Sequence, residues 1–224
     1  KAGQVVGRVG AQSLDTAVYN FDITLKGFLN PDSYKQESVK LHTDDFFKYW
    51  NEPLKGQLLA MNIRKFEPYG GKIDYDIDGR LIGNWFEEGT NGYAGRENKQ
   101  GVAGSDGQGY WSTHLAIVPD AVTQNQIDIS LGDYQGKATQ FSAKTGSPDP
   151  ATIGKDKGLV KYEFVQYGQP GFSPTGTTGA QSQQVRGTVL FQLTDTRKLK
   201  MEAFPGKTAE HVTGFSSGAK TYVR

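Results

Sequence analysis

The chain has 224 residues, enough for one large or two small domains with a buried core. Its 25 Lys and Arg residues balance 24 Asp and Glu residues, so no broad field attracts nucleic acid, and we predict no nucleic-acid partner. It has no cysteine, which excludes disulfides and thiolate chemistry, and no apolar run approaches the roughly 20 residues that span a bilayer, so we predict no transmembrane segment.

The composition favours an antiparallel β chain. The sequence has 29 Gly, 11 Tyr and 12 Phe, and short segments in which polar and apolar residues alternate are separated by turn residues. We therefore predict a mainly β fold, an antiparallel barrel or sandwich with one or two short connecting helices.

In chain order, residues 17–25 alternate as a strand, and residues 27–34 have turn chemistry. Thr43 before two aspartates predicts the N-cap of a short helix that runs to Trp50. Apolar residues recur at three- and four-residue spacing over 53–66, which predicts a second helix. Further strands are predicted at 72–77, 80–89, 110–118, 126–134, 137–145, 158–167, 186–194, 198–204 and 219–224.

Two glycine-rich, polar stretches interrupt these strands, at residues 101–109 and 168–184. They lack an apolar period, which predicts long loops. Long loops in compact domains often carry binding, so we expect these two to form adaptable rims of a binding surface.

The first part of the chain carries a spaced set of residues: Gly3, Gln4, Val6, Gly7, Val9, Gly10, Phe21, Asp22, Ile23, Gly27, Asn30, Pro31 and Tyr34. In this order the stretch resembles the C-terminal end of lysostaphin-type (LytM) zinc metallopeptidases, which cut peptidoglycan cross-bridges. The resemblance implies that residues 1–35 are the remnant of a peptidase-like β unit. Since the chain begins at Lys1 inside this motif, we expect a processed or trimmed product whose incomplete sheet pairs with a partner.

The two positions at which that family has histidines are occupied by Val18 and Asn20. Valine cannot bind a metal, and asparagine is a poor zinc ligand compared with imidazole, thiolate or carboxylate. The sequence therefore argues against peptidase activity and against a zinc site, and we expect no cofactor.

Residues 83–89, GNWFEEG, resemble the Gly-x-Trp signature of the first barrel strand of lipocalins. There, glycine permits a sharp bend and tryptophan plugs the closed end of the barrel, so the resemblance implies a lipocalin-like barrel with a ligand cavity. A filled barrel or a sandwich with Trp85 in its core is the alternative.

Residues 74–79 begin like a calcium loop, with Asp74, Asp76 and Asp78 as alternate carboxylates before a glycine. The match fails at its twelfth position, where Trp85 replaces the required glutamate. In a strand, the intervening Ile73, Tyr75 and Ile77 would face inward and the aspartates would face water, which is the competing interpretation.

Aromatic residues interleaved with polar ones predict the ligand-binding surface, either for an apolar ligand or for a glycan stacked on an exposed sheet face. The candidate ligand-binding residues are Trp85, Tyr110, Trp111, Tyr162 and Phe164. Three histidines, His42, His114 and His211, lie far apart in sequence and are expected to be surface or core residues.

The predicted organisation is a peptidase-like remnant at 1–35, a helical connector at 36–70 and an antiparallel β domain at 71–224. We expect a non-catalytic bacterial protein, secreted, periplasmic or on the cell surface, with a binding or structural role. Alternatives are a subunit of a larger assembly that self-associates or pairs with an upstream fragment of its precursor, a lipocalin-like carrier, or an enzyme whose site only the fold assembles.

Overall fold

A computed structural model describes residues 4–5, 7–8, 16–96, 109–123, 125–167 and 183–224. Eight antiparallel strands form a closed barrel in which each strand pairs with the next and β1 pairs with β8. The strands are β1 Gly83–Glu87, β2 His114–Pro119, β3 Ile127–Tyr134, β4 Lys137–Ala143, β5 Val160–Gln166, β6 Val185–Asp195, β7 Lys198–Pro205 and β8 Lys220–Val223. The predicted mainly β fold is confirmed, and it is a barrel rather than a sandwich.

The barrel interior is filled by alternate side chains of the strands. On β2 and β3, for example, Leu115 pairs with Leu131 and Ile117 pairs with Ile129, and all four are buried. The interior cluster consists of Leu81, Trp85, Leu115, Ile117, Ile129, Leu131, Phe141, Ala143, Ile153, Tyr162, Phe164, Val189, Phe191, Leu193, Leu199, Met201 and Tyr222. An eight-stranded barrel is just wide enough for side chains to fill it, and here they do.

One end of the barrel is closed by a segment that precedes β1. The indole Nε1 of Trp85 donates a hydrogen bond of 2.9 Å to the carbonyl of Leu81. The guanidinium of Arg224 lies 3.9 Å from the centre of the Trp85 ring and covers it. Residues of the β4–β5 connection complete this end, since the Leu81 N–H donates to the Ile153 carbonyl at 2.9 Å.

Residues 16–78 form an arm on the outside of the barrel, and residues 79–82 connect it to β1. It contains 3-10 segments at Pro31–His42 and Phe46–Tyr49 and one α-helix, α1 Leu54–Met61. The helix predicted over 53–66 is thus shorter than expected. None of the helices within the described ranges is long and apolar enough to cross a membrane.

The helix predicted from an N-cap at Thr43 is wrong in two respects. The segment is a 3-10 turn, and its N-cap is Asp45, whose carboxylate accepts the Phe47 N–H at 2.9 Å. The Thr43 hydroxyl instead donates back to the Lys40 carbonyl at 3.1 Å, which ends the preceding 3-10 segment. In addition, the strand predicted over 17–25 is reduced to one isolated bridge, Tyr19 with Thr43.

The strand predicted at 72–77 is also absent, and its faces are reversed: Asp74 and Asp76 are buried, whereas Ile73 and Ile77 are exposed. The cause is that the two carboxylates accept hydrogen bonds from backbone N–H groups of the arm. Oδ2 of Asp74 accepts the Gly27 N–H at 2.9 Å, and the carboxylate of Asp76 accepts backbone N–H groups of the arm and of β1. Hydrogen bonding therefore overrides the alternation that predicted the strand.

A cleft on the outer face of the barrel as candidate functional site

A cleft of about 540 Å³ lies on the outer face of β1 to β4, between the barrel wall and the arm. Its floor is made by small side chains on adjacent strands: Ala116 of β2 is paired with Ser130 of β3, and Gly132 of β3 and Ala138 of β4 continue the surface. Because these side chains alternate with the large interior ones, they face away from the core. Small residues on neighbouring strands leave a flat floor.

Aromatic rings form one wall of the cleft. Phe86 follows the interior Trp85 on β1 and so points outward, where its ring centre lies 5.2 Å from that of His114 and 5.6 Å from that of Tyr34. The arm supplies Tyr34 and Phe28, whose ring centres are 4.5 Å apart. These distances are typical of aromatic pairs, so the rings of the wall pack against one another.

The opposite rim of the cleft is Trp111, in the 3-10 turn Tyr110–Thr113 between the β1–β2 connection and β2. This turn crosses directly over β3 at Gly132, where a Cβ atom would stand 2.0 Å from the Trp111 carbonyl oxygen. The indole ring lies against Gly109, where a Cβ would stand 2.1 Å from ring atoms. With one face supported and 43% of the residue exposed, Trp111 is held at the mouth of the cleft.

The described residues that line the cleft carry little net charge at pH 7. Lys40 is the one charged residue among them, and its Nζ is 3.3 Å from Oε2 of Glu37 and 4.9 Å from the centre of the Tyr93 ring. Burial lowers the pKa of His114 to about 4, so its imidazole is uncharged at neutral pH. Nε2 of His114 is 2.9 Å from the Tyr93 carbonyl, to which it donates.

A buried pair of carboxyl groups adjoins the floor. Asp128 of β3 accepts hydrogen bonds from Gln126 at 3.2 Å, from Ser142 at 3.3 Å and from the cleft residue Gln140 at 3.3 Å. Burial raises the pKa of Asp128 to about 7, and a hydrogen bond with the carboxyl group of Asp120 contributes to the same shift. The pair therefore keeps a proton at pH values well above the usual pKa of a carboxyl group.

The structure divides the five predicted ligand-binding residues into two groups. The side chains of Trp85, Tyr162 and Phe164 are completely buried in the barrel interior, although Trp85 is also among the residues that line the cleft. Trp111 lines the cleft, and the ring centre of Tyr110 lies 5.7 Å from that of the cleft residue His114.

The other cleft residues were missed by sequence reasoning. Phe86 carried a usable signal, because it alternates with Trp85 on one strand and must face the other way. Tyr93 and the small floor residues carried none, because the arm and the pairing of strands bring them together. The expected rim loops at 101–109 and 168–184 fall, apart from Gly109, Gln183 and Gln184, outside the described residues.

The other candidate residues predicted from the sequence, the three aspartates and two of the histidines, lie apart from the cleft lining. Asp74 and Asp76 bind backbone N–H groups of the arm, whereas the carboxylate of Asp78 points elsewhere and pairs with Arg197 at 3.0 Å. His42 contacts the Ile23 carbonyl at 2.6 Å, and His211 is exposed. Across the ranges that the structure describes, no three or more His, Cys, Asp or Glu side chains are grouped so that they could hold a metal ion.

The fold and the cleft define the class of this protein: a filled, closed eight-stranded antiparallel barrel that carries an aromatic cleft on its outer wall. Comparisons of the chain with family models, with curated proteins and with solved structures give no match.

Proposed function

We propose that this chain is a non-catalytic binding protein of bacteria, secreted or in the cell envelope, and that its ligand site is the outer cleft. The observation that carries the proposal is the combination of a flat floor of small side chains with an aromatic wall and an exposed tryptophan at the rim. Cavities of this size with mostly apolar walls and a few polar groups are typical of small-molecule sites.

The cleft is a better candidate than the barrel interior. The residues Trp85, Tyr162 and Phe164, which were predicted to contact a ligand, belong to the packed core cluster of the barrel. A ligand there would have to displace side chains from a close-packed core. The lipocalin-like resemblance at 83–89 is therefore best interpreted as a resemblance of scaffold, with the ligand bound outside.

The arm contributes directly to the proposed site. Phe28 and Tyr34 lie in the stretch that resembles LytM peptidases, and both rings belong to the aromatic wall of the cleft. We propose that this stretch, without the two histidines of that family, serves as a wall of a binding site. The secreted or envelope location is part of the same proposal and rests on this resemblance.

The proposal is tested by NMR of the indole and aromatic signals. Four fragments, indole, phenol, cyclohexanol and methyl β-glucoside, are added separately, each at a millimolar concentration. We expect at least one fragment to shift the signals of Trp111, Tyr93 and His114. Ala138→Phe, which fills the exposed floor, should abolish these shifts. Gln192→Phe, on the outer wall of β6, is the matched control and should leave them unchanged.

Failure of all four fragments to move the cleft signals, or shifts that persist unchanged in Ala138→Phe, would refute a ligand site in the cleft. Native mass spectrometry supplies an independent measurement. A co-purified mass that is present in the parent chain and in Gln192→Phe, and lost from Ala138→Phe, supports the proposal.

A further inference from the structure

We propose that the ligand of the cleft is an uncharged pyranose ring of a glycan, stacked on the indole of Trp111. This inference rests on the proposed function and names the chemical class of the ligand. Three features of the cleft carry it: its shape, the polar groups at its edge, and the small net charge of the described residues that line it.

The shape of the cleft suits a flat, saturated ring. Trp111 is supported from behind by Gly109, so the position of the indole does not depend on a bound ligand. The floor beside it includes the small residues Gly132 and Ala138. A pyranose presents C–H groups on its face, and these pack on an aromatic surface with little loss of side-chain entropy because the indole is already held.

The edge of the cleft provides groups that can form hydrogen bonds with hydroxyls. Nε2 of Gln140 donates to Asp128 at 3.3 Å, which fixes the amide and turns its Oε1 away from that carboxylate as an acceptor. Ser130 lies on the floor of the cleft, and its hydroxyl can both donate and accept hydrogen bonds. A ring that carries hydroxyls at its edge and C–H groups on its face matches both kinds of surface.

The charge and the exposure of the cleft disfavour the other two ligand classes. An anionic ligand would need an unpaired cation, but among the described residues that line the cleft the one ammonium, that of Lys40, is paired with Glu37 at 3.3 Å. An acyl chain gains most when it is enclosed on all sides, whereas Ala138, Gln140 and Trp111 are all exposed. A ligand in this cleft keeps one side in water, which suits an amphipathic sugar ring.

The test is isothermal titration calorimetry combined with the same NMR signals. The probes are three neutral trisaccharides of different linkage, cellotriose, chitotriose and mannotriose, with indole and sodium dodecanoate as the competing classes. We expect at least one trisaccharide to bind at sub-millimolar concentration and to shift the Trp111 indole signal. Trp111→Ala should weaken that binding about tenfold, as loss of the apolar stacking area predicts, and Trp111→Phe should retain part of it.

Phe21→Ala is the matched control, because Phe21 is an aromatic residue with 68% exposure that does not line the cleft. It should leave affinity unchanged. If indole or dodecanoate shifts the cleft signals and no trisaccharide does, the sugar inference is wrong and the binding function stands. If no probe of any class shifts them, both fail. Equal affinities for Trp111→Ala and the parent chain would also overturn the inference.

Discussion

Replacement of Arg224 by alanine should be among the most damaging single changes at the closed end of the barrel. The guanidinium donates to the carbonyls of Ile82 at 2.6 Å and Ile77 at 2.7 Å, and also to that of Arg80. It covers the Trp85 ring as well. The variant leaves three carbonyl groups without their hydrogen-bond donor, at about 1 kcal/mol each, and loses the cation–aromatic contact, at about 1 kcal/mol. The expected destabilisation is therefore about 4 kcal/mol.

The ion pair itself is not the reason for this value. Nη1 of Arg224 is 3.7 Å from the carboxylate of Asp76, and both side chains are almost fully buried. Burial lowers the pKa of Arg224 to about 10 and raises that of Asp76, so removal from water outweighs mutual attraction at both groups. The stabilisation should therefore come from the hydrogen bonds to the carbonyls and from the packing on Trp85.

The assay is urea unfolding at pH 7, followed by tryptophan fluorescence. Arg197→Ala is the matched control, because Arg197 also pairs with an aspartate of the same segment, Asp78, but both of these side chains are about half exposed. It should cost no more than about 1 kcal/mol. If Arg224→Ala costs less than about 1 kcal/mol, or no more than Arg197→Ala, the assignment of the closed end is refuted.

Three further predictions concern the core, the cleft and pH. Trp85→Phe should lower the free energy of unfolding by about 2–3 kcal/mol, through the lost indole hydrogen bond and the smaller ring; an unchanged unfolding midpoint would contradict this. Gly132→Ala should cost about 1–3 kcal/mol and displace Trp111 in NMR spectra, because the new Cβ collides with the turn above it, whereas Gly214→Ala, with no atom within 4 Å of the new Cβ, should be neutral. Because the pKa of Asp128 is raised, the folded state holds a proton on this carboxyl group over a pH range in which the unfolded state has lost it. The stabilisation that this proton gives is fully present below about pH 4 and is lost as the pH rises towards 7. The pKa shift from 3.8 to about 7 corresponds to at most about 4 kcal/mol of unfolding free energy. Relative to Asp128→Asn, the parent chain should lose stability over that window in urea unfolding, and parallel pH profiles would show the assignment to be wrong.

The strands of the barrel were largely predictable, because each carries its own alternation. Eight of the nine predicted strands after residue 70 overlap β1 to β8, and their order along the chain is the order around the barrel. The ninth, at 72–77, failed for a reason that no local pattern contains: its aspartates bind backbone N–H groups 47 residues earlier in the chain. Closure of the sheet between β1 and β8 was likewise a non-local event, and the sequence left barrel and sandwich open.

The candidate site was predictable only in part, for the same physical reason. Trp111 could be proposed from composition, since an aromatic residue among polar ones is a common binding element. Its partners could not, because the cleft is assembled from β1 to β4, from the turn that precedes β2 and from the rings of Phe28 and Tyr34, which lie at least 49 residues before β1. Sequence reasoning therefore assigned the buried aromatic residues Tyr162 and Phe164 to the ligand, although they build the core.

The way in which the barrel is closed also determines how a ligand can be recognised. Because β1 pairs with β8, the sheet closes on itself, and its outer face presents side chains to a ligand. Recognition on the outer wall must then rely on side chains, and the filled interior gives those side chains a rigid support. The wall rings of the arm depend in turn on Asp74 and Asp76, which hold Gly27 and Leu29 on either side of Phe28. Release of these two backbone contacts would therefore open the cleft on one side while leaving the barrel intact.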